Sequence, residues 1–102
     1  MDSFEFLFSE QNRILEHYEG GEYLYRNGTP AIGVFFICSG RVQVINQTEE
    51  GFLTQETKTA GDIIALDEME LFYYVTDAIA MEATEVYFLD RYLLLEIMRR
   101  RL

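Results

Sequence analysis

The chain has 102 residues, 49% of them hydrophobic and 15% aromatic, enough to build one packed domain over residues 1–102 and too much for intrinsic disorder. Eight Lys and Arg against eighteen Asp and Glu leave a formal net charge of −10, so direct binding of nucleic acid, which needs cations on phosphates, is not expected. No apolar run approaches the ~20 residues that cross a bilayer, and Met1-Asp2-Ser3-Phe4-Glu5 lacks the basic start of a signal peptide, so the expectation is a cytoplasmic chain with no membrane contact.

In chain order, Phe4, Leu7, Phe8, Ile14, Leu15 and Tyr18 fall on one stripe at helical spacing. They predict one or two helices between about residues 3 and 18, with Asp2 or Ser3 as cap. After Gly20-Gly21 the pattern changes to short β-rich runs separated by single glycines at 21, 28, 40, 51 and 61. Glycine is the residue that turns a chain through positive φ, so this punctuation predicts a roll of antiparallel strands over about residues 22–89.

Within the roll, Tyr23-Leu24-Tyr25 reads as a strand and Arg26-Asn27-Gly28-Thr29-Pro30 as a turn. Val34-Phe35-Phe36-Ile37-Cys38 is a continuous buried strand, and Arg41-Val42-Gln43-Val44-Ile45-Asn46 alternates as a half-exposed one does. A hairpin at Glu49-Glu50-Gly51 leads to a strand over 52–57, followed by Gly61-Asp62-Ile63-Ile64-Ala65 and an acidic turn, Asp67-Glu68-Met69-Glu70. Residues 72–75, 78–83 and 85–89 supply the remaining strands, and Asp90 caps a final helix over about residues 90–101 with Leu94, Ile97 and Met98 inward.

Few residues offer reactive chemistry. His17 is the single histidine, which leaves cupin-type metal sites and His-dependent triads short of ligands and bases, so no catalytic residue, metal or cofactor is expected. The position of His17 near the end of the predicted first helix suits a surface residue. Cys38 is also single and sits in an apolar strand, which points to a buried, inert thiol rather than a sensor. The run 67–70 has no EF-hand spacing and reads as a solvated turn.

The succession of three stretches resembles the cyclic-nucleotide-binding fold. They are Gly21-Glu22-Tyr23-Leu24-Tyr25-Arg26-Asn27-Gly28, then Val34 to Val44, then Gly61-Asp62-Ile63-Ile64, followed by the strand Glu85 to Leu89 and a helix. The likeness is to the sensor half of bacterial regulators of the catabolite-activator/FNR (Crp/Fnr) type and spans about residues 7–100. It implies a mainly β, antiparallel β-roll or jelly roll flanked by N- and C-terminal helices, acting as a regulatory sensor module and not as an enzyme.

The resemblance also implies where a ligand would sit. In nucleotide-binding members the glycine-aspartate turn leads into Phe-Gly-Glu, then a short helix, then an Arg followed by small residues. The Glu holds the ribose hydroxyl and the Arg clamps the cyclic phosphate. Here Ala65 and Leu66 stand in the Gly-Glu positions and the Arg falls at or near Tyr74. No basic residue occurs between Lys58 and Arg91, while eight carboxylates do. Ordinary binding of cyclic AMP or GMP is therefore not expected.

The implied pocket comprises Gly61, Asp62, Ile63, Ile64, Ala65, Leu66, Tyr73, Tyr74 and Val75. Two readings follow. A sensor for a different small-molecule effector needs an open pocket lined by Ile63, Ile64, Tyr74 and Val75. A ligand-free interaction module, working as a homodimer or with a regulatory protein partner, needs Leu66, Tyr73 and Tyr74 to close it. In relatives a dimerisation helix and a DNA-binding domain follow the last helix, so the chain reads as either a fragment of a regulator or a stand-alone domain.

Overall fold

In the computed structural model, residues 5–100 are described and form two four-stranded antiparallel sheets that face each other as a roll. The first sheet has the order β1 (Ile14–Tyr18), β8 (Thr84–Asp90), β3 (Gly33–Ser39), β6 (Ile63–Ile64). The second has the order β2 (Tyr23–Tyr25), β7 (Asp77–Ala80), β4 (Arg41–Gln47), β5 (Leu53–Thr59). This is the mainly β architecture that the glycine spacing predicts. All five punctuating glycines have positive φ.

Burial follows position in the sheets. β3 lies between β8 and β6 and is buried through Gly33, Val34, Phe35 and Ile37, which explains its unbroken apolar run. β8 is likewise covered on both faces, burying Thr84 and Val86 on one and Leu89 on the other. Val34, Ile37, Val42, Val86 and Leu89 are completely buried, Ile37 and Val86 on the face of Phe35 that meets Tyr25 of the other sheet, Val34 and Leu89 on the opposite face of their sheet. Each such side chain contributes about 1.5–3 kcal/mol by leaving water. Gly40 is fixed by close approach as well as by its φ of +97°. A Cβ there would lie 2.6 Å from the Ala83 carbonyl and 2.7 Å from Thr84 Cα.

The final helix, α1 (Arg91–Arg100), starts where expected. Asp90 Oδ1 accepts the backbone N–H groups of Tyr92 at 2.8 Å and Leu93 at 3.2 Å, satisfying two donors of the first turn. Leu94 and Ile97 are buried, and α1 packs on β3 and β8. At its base the Arg91 guanidinium donates to the carbonyls of Ala31 and Leu71, and the Arg91 backbone N–H donates to Ile32. Among the described residues no helix is long and apolar enough to cross a membrane.

The structure corrects the reading of the N-terminus. The apolar stripe predicts one or two helices between about residues 3 and 18; the described part has a 3-10 turn, Glu5–Phe8, and then β1. The apolar stripe has a different origin. Leu7 and Phe8 are buried, whereas Ile14 and Leu15 are 57% and 59% exposed on an edge strand paired with Phe88 and Tyr87 of β8. Pairing along β8 satisfies the backbone and overrides a local helical pattern. The proposed caps Asp2 and Ser3, with Phe4, lie outside the described residues. His17 accordingly sits on β1, exposed, with Nε2 2.8 Å from Glu19 Oε2.

Residues 72–75 are likewise not a strand. They make a single bridge, Tyr73 to Pro30, and turn Tyr74 inward. The acidic turn is a 3-10 helix, Asp67–Glu70, and it is not wholly solvated: Glu68 is 6% exposed.

Candidate functional site

A cleft of about 300 Å³ opens where the end of β6 and the 3-10 helix face β4 and β5. Val44 and Asn46 of β4, with Thr54, Glu56 and Lys58 of β5, form one wall. Alternation puts Thr54, Glu56 and Lys58 on the same face of their strand. Ile63, Ile64, Ala65, Asp67 and Glu68 form the opposite wall, and Tyr25 and Thr76 complete the lining.

Ala65 turns the chain between strand and 3-10 helix with φ +76°, the one non-glycine positive φ among the described residues. A left-handed L-residue costs roughly 1–2 kcal/mol. This is the position the sequence resemblance assigns to glycine, so the backbone of that turn persists although the residue has changed.

Glu68 is the most elaborated group in the wall. Its Oε2 accepts the Val75 backbone N–H at 2.7 Å. The Thr76 hydroxyl lies 3.0 Å from Oε1 and 3.2 Å from Oε2, so one proton is shared between them. The Tyr25 hydroxyl lies 3.4 Å from Oε1 and 2.8 Å from Thr76 Oγ1. With the Thr76 proton given to Glu68, the Tyr25 hydroxyl donates to Thr76 Oγ1, so two direct donors and a third hydroxyl behind them serve the buried carboxylate, as a desolvated charge requires.

The cleft is acidic. Glu56, Asp67 and Glu68 line it against a single cation, Lys58, whose Nζ is 3.3 Å from Glu56 Oε2. Within the described residues no group of three His, Cys, Asp or Glu has the arrangement of a metal site. Cys38, on β3 and half-buried, has its thiol pKa raised chiefly by desolvation, which disfavours a reactive thiolate.

The nine pocket residues expected from the sequence do not all converge. Ile63, Ile64 and Ala65 line the cleft. Gly61 and Asp62 shape the turn before it, Asp62 Oδ2 accepting the Thr59 N–H at 2.8 Å. Leu66 lies instead in a separate apolar groove of about 560 Å³, with Met69 and with Leu94, Leu95 and Met98 of α1. Tyr74 is 1% exposed and packs in the core, and Tyr73 and Val75 face outward at 58% and 46% exposure. Val75 contributes its backbone N–H to Glu68 rather than a side chain to the cleft.

Glu56, Lys58, Glu68, Tyr25 and Thr76 were not among the candidates. The period-two spacing of Thr54, Glu56 and Lys58 carries a signal for the β5 wall. No local signal joins Glu68 to Tyr25, 43 residues away.

The family model described as cyclic nucleotide-binding domain matches residues 15–101. Curated protein sequences give no match. Among solved structures, the sensor domain of the transcriptional regulator DNR from Pseudomonas aeruginosa superposes with a TM-score of 0.77 at 23% identity, over 91% of this chain and 63% of that one. Thermus thermophilus catabolite activator protein gives a TM-score of 0.79 at 19% identity, over 94% of this chain and 45% of that one. The regulatory subunit of a cAMP-independent protein kinase A from Trypanosoma cruzi, bound to guanosine, gives 0.77 at 27% identity, over 95% of this chain and 35% of that one. The chain therefore spans less than two thirds of the length of each.

Proposed function

The chain belongs to the cyclic nucleotide-binding domain family, and on that footing we propose that it is a regulatory sensor module whose cleft takes a phosphate-free small molecule of the nucleoside class. Cyclic AMP and cyclic GMP in the usual mode are not its ligands on this reading. The observation that carries it is the charge of the cleft. Three carboxylates border the space and its one lysine is already paired to one of them. A carboxylate within ~4 Å of a phosphate opposes it by up to about 4 kcal/mol at an effective dielectric of ~20. Carboxylates instead suit the hydroxyl and N–H donors of a nucleoside. The guanosine held by the trypanosomal kinase subunit points the same way.

Thermal shift and calorimetry with guanosine, adenosine, cyclic AMP and cyclic GMP test the proposal. A nucleoside at 100 times its Kd should add about 2.7 kcal/mol of stability. The cyclic nucleotides should add none at equal concentration. Tight binding of a cyclic nucleotide with no response to either nucleoside overturns it.

A second reading has its own support. Tyr74 is buried against Tyr25 with ring centroids 3.9 Å apart, so part of the roll is filled by its own aromatic side chains. On that reading the module works through protein contacts, as a homodimer or with a regulatory partner. It predicts no response to any of the four compounds, together with concentration-dependent association in sedimentation.

A further inference from the structure

We propose that Glu68 is the specificity-determining residue of this cleft, an internal anion that occupies the place of a ligand's phosphate. The proposal deepens the reading above and rests on it for the location of the site. Three observations converge. The carboxylate is 6% exposed yet belongs to the lining of the cleft. It accepts a main-chain N–H from Val75 at 2.7 Å and the hydroxyl proton of Thr76 at 3.0 Å. These donors belong to the segment just after Tyr74, where the sequence resemblance places the phosphate-clamping arginine.

A backbone N–H beside a hydroxyl is a ready seat for an anionic oxygen. Here the chain fills the seat itself. A phosphate entering the cleft would meet donors already engaged and a negative charge in their place. A neutral ligand meets no such conflict, because the carboxylate has satisfied the donors and presents no repulsion to an uncharged group. Glu68 would thus both complete the fold of the loop and sort ligands by charge. Asp67 and Glu56 add to the field, but neither has a hydrogen bond to the Val75 or Thr76 donors among the described residues.

The test measures binding of cyclic AMP and inorganic phosphate to the wild-type chain, Glu68→Gln and Glu68→Ala by calorimetry. Glu68→Gln keeps the volume and removes the charge; Glu68→Ala also frees the Val75 N–H. Each should bind cyclic AMP at least tenfold more tightly than the wild type, with Glu68→Ala the tighter. Folded variants, shown by an unchanged circular-dichroism spectrum, with no gain for either anion overturn the proposal. Should both variants lose the fold, the wild-type chain decides. Its Val75 amide resonance should stay fixed as inorganic phosphate is added, and a phosphate-dependent shift of that resonance overturns the proposal. Guanosine binding by the wild type is a separate result, so failure of the nucleoside reading and failure of the role of Glu68 are told apart.

Discussion

The ring of Tyr74 stacks on that of Tyr25, with centroids 3.9 Å apart and planes inclined by 18°. The Tyr74 hydroxyl donates to the Gly33 carbonyl at 2.6 Å and accepts the Gly33 N–H at 3.1 Å. A residue that the sequence places beside the ligand is therefore a member of the core, tying the 72–75 segment to the start of β3.

Removing the ring should cost accordingly. Tyr74→Ala is expected to lose about 3–5 kcal/mol, as large aromatic truncations in cores do. Tyr74→Phe keeps the stack but strands both polar groups of Gly33, an expected loss of roughly 1–3 kcal/mol. Urea unfolding should show both midpoints lowered, with Tyr74→Ala far lower. Equal, small changes would mean that the ring is dispensable to the core.

Alkaline pH should act through the same aromatic cluster. Desolvation raises the ionisation of Tyr25 and of Tyr74, and the nearby Glu68 charge adds to both. Tyr18 is raised by desolvation and by its hydrogen bond to Glu16, 2.7 Å long. The unfolded chain releases these protons near the usual tyrosine value of about 10 while the folded chain holds them, so above that pH the folded state binds more protons. The stability they provide is complete below about pH 10 and is lost as pH rises toward their folded values. A tyrosinate absorbance titration should show these groups ionising together with unfolding. Ionisation with the fold intact would contradict it.

Two glycines with nearly equal backbone angles should respond differently to the same substitution. Gly51, at φ +90°, has open space where a Cβ would go, so Gly51→Ala should cost only the left-handed strain of roughly 1–2 kcal/mol. At Gly40 the methyl would press on Ala83 and Thr84, and overpacking adds about 1–3 kcal/mol to that strain. Denaturant midpoints of the two variants give the comparison; equal midpoints would rule out the close approach.

The sequence made most of the roll legible because its inner strands carry their environment in their residues. β3 is apolar on both faces and is buried on both, and β4 alternates as its one-sided burial requires. β1 was hidden for the opposite reason. An edge strand with Ile14 and Leu15 exposed shows no clean alternation, and the bonds that make it a strand come from β8, some 70 residues away. Residues 72–75 looked like a strand because aromatic runs usually are, whereas Tyr74 is inward to reach Gly33.

The candidate site was half legible. Ile63, Ile64 and Ala65 follow from the glycine-aspartate turn, and the shortage of cations follows from counting. Ala65 read as a lost glycine, although the turn keeps the same positive φ. Glu68 read as one more carboxylate in an acidic run. Only the folding of Tyr25 and Thr76 against it distinguishes it from Asp67 and Glu70, which are exposed.

Arg91 grips the carbonyls of Ala31 and Leu71 from the first turn of α1, and Leu71 ends the 3-10 helix that carries Glu68. That guanidinium works as a rivet through three separate pieces of chain. Tilting the helix would drag on the floor of the cleft, and a guest that shifted the floor would pull on the helix. Motion at one would be legible at the other without any new contact being made.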